Sequence, residues 1–345
     1  MKGERVGEMK LITVEEHYMS KTINDQYQAL NQADLSPEQA AKASFVSNYL
    51  DRMVETGGPI VDLDQKRLAY MDQSGVSVQI LSYGNNSPMD LKGEAAVDLA
   101  QQANDNLFEA CQKHPDRFYG LACLPVDRPQ AAAAELERTV NELGFKGALL
   151  QGTFQEEFLD AKRYDPIFAK AEALGVPLQI HPGEIKQDVL TAYYKGDWSD
   201  QVMTVLSGHG MGWHYEAGVH MLRLILSGIF DRYPKLQLVA GHWGEGLPYF
   251  LERLDENLPV DLTHLDHNIA YYLKHNFYYT PSGMFYDGPF KLCLDYFGPE
   301  RIVWSVDYPY VIRDNAWDYL ANFGLAQEDL EAIAYANAEK LYGIG

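Results

Sequence analysis

The sequence predicts a single (β/α)8 barrel, and three observations carry that prediction. Short apolar runs alternate with longer amphipathic stretches along the chain, the pattern of strands separated by helices. Those runs are near-continuously apolar, as expected for a parallel sheet covered by helices. Polar, chelating residues then recur at their C-terminal ends, which is the face where barrel enzymes place their chemistry. A length of 345 residues suits one such domain, and 46% apolar with 22% charged residues is ample for a large core. A doubly wound open sheet is the alternative, but its ligand motif would be a glycine-rich first turn, and Glu15-Glu16-His17 is no phosphate cradle.

Residues 1–9 read as a polar leader. The first strand, 11–17, runs from Leu11-Ile12-Thr13-Val14 into Glu15-Glu16-His17. A long polar insertion at 18–59 carries helical patches at 37–43 and 49–53, and a loop of that length is expected to act as a lid. A helix at 63–74, closed by Gly75, precedes the second strand at 76–82. Helices at 93–114, 130–143 and 164–174 then alternate with strands at 119–124, 146–150 and 176–180, the last ending at His181. An atypically long segment, 183–235, contains a helix at 215–230 and precedes the strand at 236–240 and His242. Strands at 276–280 and 301–306 follow, the second ending at Asp307, and a helix at 327–342 closes the chain. The total is eight strands, with no internal repeat.

A formal charge of −21 excludes non-specific binding to nucleic acid or an anionic membrane. No apolar run reaches the ~18 residues of a membrane span and the N-terminus lacks a secretion signal, so a cytoplasmic location is expected. Cys111, Cys123 and Cys293 are odd in number and lack metal-type spacing, and are read as small buried hydrophobes.

Side chains alternate along a strand, so the Glu15-x-His17 spacing puts two metal-capable groups on one face. With His181 and Asp307 they offer a divalent cation two imidazoles and two carboxylates, a mixed set that suits zinc, manganese or iron. Each has a plainer reading alone: a rim residue, a core histidine, an Asx-turn aspartate. Convergence at one face of one barrel favours a site. His242 lies in Gly241-His242-Trp243-Gly244-Glu245-Gly246, where Glu245 could steer it as a proton shuttle. Arg253, on a helix further along, reads by itself as a surface charge. His209, His214 and His220 lack metal spacing and are assigned to the long loop.

These motifs together resemble the amidohydrolase superfamily, and more narrowly the amidohydrolase-2 branch that contains aminocarboxymuconate-semialdehyde decarboxylase and the metal-dependent hydroxybenzoate decarboxylases. Ile229-Phe230-Asp231-Arg232-Tyr233-Pro234, Ser305-Val306-Asp307-Tyr308-Pro309-Tyr310 and Asn337-Ala338-Glu339-Lys340-Leu341-Tyr342 extend the resemblance over nearly the whole chain. It implies Glu15, His17, His181 and Asp307 as ligands of one zinc or manganese ion, His242 with Glu245 as an active-site pair, and Arg253 as a contact to the substrate carboxylate. Glu15 stands where the hydrolytic members open with His-x-His, as in the γ-resorcylate decarboxylases. Lys146 falls too early in its strand to bridge two metals, which favours a mononuclear site. The implied reaction is nonoxidative decarboxylation of a hydroxylated aromatic acid, with Asp307 protonating the ring carbon, in a homodimer or homotetramer. A hydrolase or hydratase using metal-bound water and His242 as base is the alternative, and a noncatalytic metal-binding protein is a distant third.

Overall fold

The computed structural model describes residues 9–31, 54 and 57–345. Its parallel strands are β1 (Ile12–Tyr18), β2 (Val78–Tyr83), β3 (Phe118–Gly120), β4 (Ala148–Gln151), β5 (Leu178–His181), β6 (Leu238–Ala240) and β7 (Phe277–Tyr279). They pair as β1-β2-β3 and β4-β5-β6-β7. A bridge between Ala122 and Ala148 joins the two groups, and bridges from Tyr279 to Ile302 and from Trp304 to Thr13 lead through the eighth position back to β1. The architecture is the expected α/β barrel, with helices between successive strands.

The eighth predicted strand is the main departure, since two isolated bridges stand in its place. The segment leaves a 3-10 turn at Pro299–Arg301 and ends at Asp307, whose φ of +66° breaks strand geometry. A side chain also takes the N–H groups on either side of Asp307: Val306 and Tyr308 donate to the two oxygens of the Glu16 carboxylate at 2.8 and 2.9 Å. The predicted helix at 215–230 is two, Gly212–Leu226 and Ile229–Arg232, because Gly228 between them is left-handed. His214 and His220 therefore lie on a helix rather than in a loop, with His209 in the turn before it. The closing helix contains a π-helical turn at Ala332–Ala336. Of the 18–59 insertion, Tyr18 belongs to β1 and Lys21–Leu30 is helical. The patches at 37–43 and 49–53, and the leader at 1–8, lie outside the described residues. All three cysteines are free, and Cys111 is only half-buried.

One irregularity positions the site. Between Thr13 and Glu16 the β1–β2 register slips by one residue, a β-bulge. A bulge re-aims side chains by breaking strict alternation. Ile12 and Val14 accordingly pack with Val78, Ile80, Leu149, Val239, Tyr278 and Val303 in one buried cluster, closed from below by Leu341, Tyr342 and Ile344 of the C-terminal segment. Glu15 and His17 follow directly, fully buried, at the C-terminal end of β1.

Candidate metal and proton-transfer site

Glu15, His17 and His181 each offer a ligand atom within 4.8 Å of one another. His17 Nε2 lies 3.2 Å from Asp307 Oδ1, and His181 Nε2 lies 3.8 Å from Glu15 Oε1. The structure thus brings all four predicted ligands together. Asp307 reaches them from the end of the irregular eighth segment, where its backbone N–H donates to the Glu15 carbonyl at 3.0 Å.

The second polar atom of three of these side chains is already engaged. Ser282 Oγ donates to Glu15 Oε2, Ser82 Oγ lies 3.0 Å from His17 Nδ1, and His181 Nδ1 donates to the Pro182 carbonyl at 2.7 Å. Such partners fix ring orientation and tautomer for ligating histidines. Glu15 Oε1, His17 Nε2 and Asp307 Oδ1 are left buried with no hydrogen-bond partner among the described residues. Neighbouring ligands of one ion held at about 2.1 Å stand roughly 3 Å or more apart, and the spacings here match that. Burial pushes the Glu15 and Asp307 carboxyls up to about 7 and His17 down to about 3 when no cation is beside them. Buried carboxylate oxygens and an imidazole nitrogen that face one another without partners among the described residues suit a cation, and a divalent ion fits these residues.

Glu16, the middle residue of the motif, faces elsewhere and straps Asp307 through its two neighbours' N–H groups. Behind it lies Arg67, a wholly buried guanidinium that donates to the His17 carbonyl at 2.6 Å and to Gln79 Oε1 at 3.1 Å, and sits 4.8 Å over the Tyr308 ring. Sequence reasoning missed Arg67, whose position on an ordinary helix carries no signal.

Beside this cluster stands a second one. His242 Nδ1 is 2.7 Å from Glu245 Oε1, and His214 Nδ1 is 2.7 Å from Glu245 Oε2. The His242 and Glu245 pairing is as expected; His214 is the residue the sequence did not offer, 31 positions from its partner. Burial lowers the basicity of His242, but the Glu245 carboxylate, with Glu15 and Asp307 beyond it, outweighs this and raises the group to about 9. Burial raises Glu245, and His242 with His214 outweighs it, holding the carboxyl below its ordinary value. The run from His242 to Gly246 is left-handed at every residue, including His242, Trp243 and Glu245. Such geometry costs roughly 1–2 kcal/mol per non-glycine residue, and tertiary contacts hold it: His242 N–H donates to Ser282 Oγ, Trp243 N–H to the Thr280 carbonyl, and Trp243 Nε1 to the Met284 carbonyl. Gly241 must be glycine because a Cβ there would lie 2.9 Å from Ser282 Oγ and 3.0 Å from both Glu15 oxygens.

Two predicted features stand apart. Arg253 is 71% exposed and pairs with Glu256 one turn along the same helix at 3.3 Å, so this chain does not bring it to the cluster. His220 is buried and accepts the Leu159 N–H at 3.3 Å, a structural role.

The comparisons agree with this geometry. The chain belongs to the amidohydrolase family, whose profile matches residues 36–344. It is 34% identical over 347 residues to the γ-resorcylate decarboxylase of Rhodococcus jostii, covering 96% of this chain and 98% of that one. Among solved structures it is similar to 2,6-dihydroxybenzoate decarboxylase from Rhizobium, at 31% identity and a TM-score of 0.82, over 97% and 99% of the two chains. It is also similar to 5-carboxyvanillate decarboxylase from Novosphingobium aromaticivorans, complexed with manganese and a nitrobenzoic acid, at 31% identity and a TM-score of 0.86, over 97% and 96%.

Proposed function

We propose that this chain is a metal-dependent, nonoxidative decarboxylase of a hydroxylated aromatic acid. One observation carries the reading: buried Glu15 Oε1, His17 Nε2 and Asp307 Oδ1 have no hydrogen-bond partner among the described residues and, with His181 Nε2, converge at the barrel mouth of a chain similar to γ-resorcylate and 2,6-dihydroxybenzoate decarboxylases. Glu15, His17, His181 and Asp307 would hold one zinc or manganese ion. Lys146 supports a single ion, since its Nζ reaches the Gly343 carbonyl at the opposite end of the barrel. A bound divalent ion supplies Lewis-acid polarisation of substrate oxygens.

The chain's own residues do the rest. Asp307, buried at the mouth of the barrel 3.2 Å from His17 Nε2, is placed to give a proton to the ring carbon that loses carbon dioxide. His242, its Nδ1–H committed to Glu245, turns Nε2 to the site, where it can hold a proton near the departing carboxylate. Arg253 keeps its implied role as a carboxylate contact only if a partner brings it to a site, because within one chain it faces solvent. A cytoplasmic location and assembly as a homodimer or homotetramer belong to the same proposal. Exposed Met211, Tyr215, Val219 and Leu226 on one helix face support assembly, and no helix among the described residues is long and apolar enough to cross a membrane.

Turnover of a hydroxybenzoate panel in deuterated water tests the reading. Decarboxylation puts one solvent deuterium on the ring carbon that carried the carboxylate. Entry of labelled water oxygen into a product, with no carbon dioxide released, would establish the hydrolase or hydratase alternative instead.

A further inference from the structure

We propose that His214 is a positioning residue: it clamps Glu245 so that His242 presents Nε2, and not Nδ1, to the site. An ionised carboxylate only accepts hydrogen bonds, so two 2.7 Å contacts to Glu245 require both Nδ1 atoms to be N–H donors. With one oxygen held by each imidazole, the carboxylate cannot rotate without breaking a charge-assisted bond. These contacts are also too short for paired ligands of a common ion, which separates this group from the metal cluster.

His214 is itself anchored from behind. Its Nε2 lies 3.2 Å from Trp213 Nε1, which can only donate, and 3.1 Å from the His209 carbonyl, which can only accept. Neutral His214 accepts from Trp213 and protonated His214 donates to His209, so Nδ1 stays directed at Glu245 in either state. The same helix grips the backbone of Glu245 one turn later: a Cβ on Gly218 would stand 2.5 Å from the Glu245 carbonyl oxygen. Strained backbone persists only where its surroundings over-determine it, and this helix supplies that support to the left-handed turn at Glu245.

The catalytic part of this inference rests on the decarboxylase reading; the tautomer part does not. The test compares zinc-loaded wild type with His214→Phe and His214→Gln, which remove the donor from the δ position, and with His214→Asn, which keeps it. Nitrogen NMR of ¹⁵N-histidine-labelled protein should show His242 with a protonated Nδ1 in wild type and His214→Asn, and altered His242 shifts in the Phe and Gln variants. On a hydroxybenzoate substrate kcat should fall by about 10- to 100-fold in those two, with KM nearly unchanged and substantial recovery in the Asn variant, as for groups that orient a functional side chain. Unchanged His242 shifts in a folded Phe or Gln variant would overturn the proposal even if no decarboxylation is found. So would an Asn variant as impaired as Gln, which would reduce His214 to a packing residue.

Discussion

The two imidazole–carboxylate groups at the barrel mouth are made of the same residue types, lie side by side with the His181 and His242 ring centroids 6.2 Å apart, and are built on opposite principles. In the His214–Glu245–His242 group the short contacts to the carboxylate are hydrogen bonds, one imidazole to each oxygen. In the Glu15–His17–His181–Asp307 group, Glu15 Oε1, His17 Nε2 and Asp307 Oδ1 have no hydrogen-bond partner among the described residues, while the outward atoms of Glu15 and both histidines are tied to Ser282, Ser82 and Pro182. Composition therefore does not separate a metal site from a proton-handling one. The partner of each side chain's second polar atom does.

Asp307→Asn should break the first group hardest, because it removes an ionisable ligand and the transferable proton together while leaving an oxygen in place. Turnover should fall by a factor of ~10² to 10⁴. Near-normal turnover in a metal-retaining Asn variant would move the acid to another residue, with His242 the next to test.

Gly241→Ala attacks the first group from the second group's backbone, since the new methyl would press on Glu15 and Ser282. Metal affinity, measured by titration of the chelated protein, should weaken by about 10- to 100-fold. Wild-type affinity would mean that Ser282 does not hold Glu15 in place.

The pH dependence of metal stabilisation sharpens the contrast. Without a cation, burial raises Glu15 from 4.5 and Asp307 from 3.8 to about 7. A raised folded-state value means the metal-free fold binds these protons more tightly than the unfolded chain does. That contribution is complete below about pH 4 and is lost as pH rises through about 7. A divalent ion replaces the protons, so the gain in Tm on adding Mn²⁺ should grow between about pH 5 and pH 8. A gain that stays flat across that range would remove the two carboxylates from the coordination set.

The smallest effect belongs to the residue outside both groups. Arg253→Ala deletes an exposed pair, so unfolding free energy by denaturant titration should change by less than about 0.5 kcal/mol. Any loss of turnover in that stable variant would then report a role in catalysis rather than in folding.

The order of strands and helices, and the placement of Glu15, His17, His181, His242 and Asp307 at strand ends, were legible in the sequence because apolar runs and their polar terminations are local properties. Helix ends such as Gly75 were legible for the same reason, since left-handed caps favour glycine. The eighth strand departs from the reading because its apolar residues pack as a strand's would, while the N–H groups of Val306 at its end and Tyr308 just beyond go to the Glu16 side chain, some 290 residues away in sequence. The bulge in β1 and the recruitment of His214 and Arg67 were equally closed to sequence reading, whereas the exposed Arg253 matches its reading as a surface charge. The bulge and the two recruitments depend on which polar atoms meet across the barrel. Hydrophobic periodicity records only whether a side chain is buried, whereas a hydrogen bond or an orphaned ligand atom depends on direction and on distances of a few tenths of an ångström, which only the assembled tertiary structure sets.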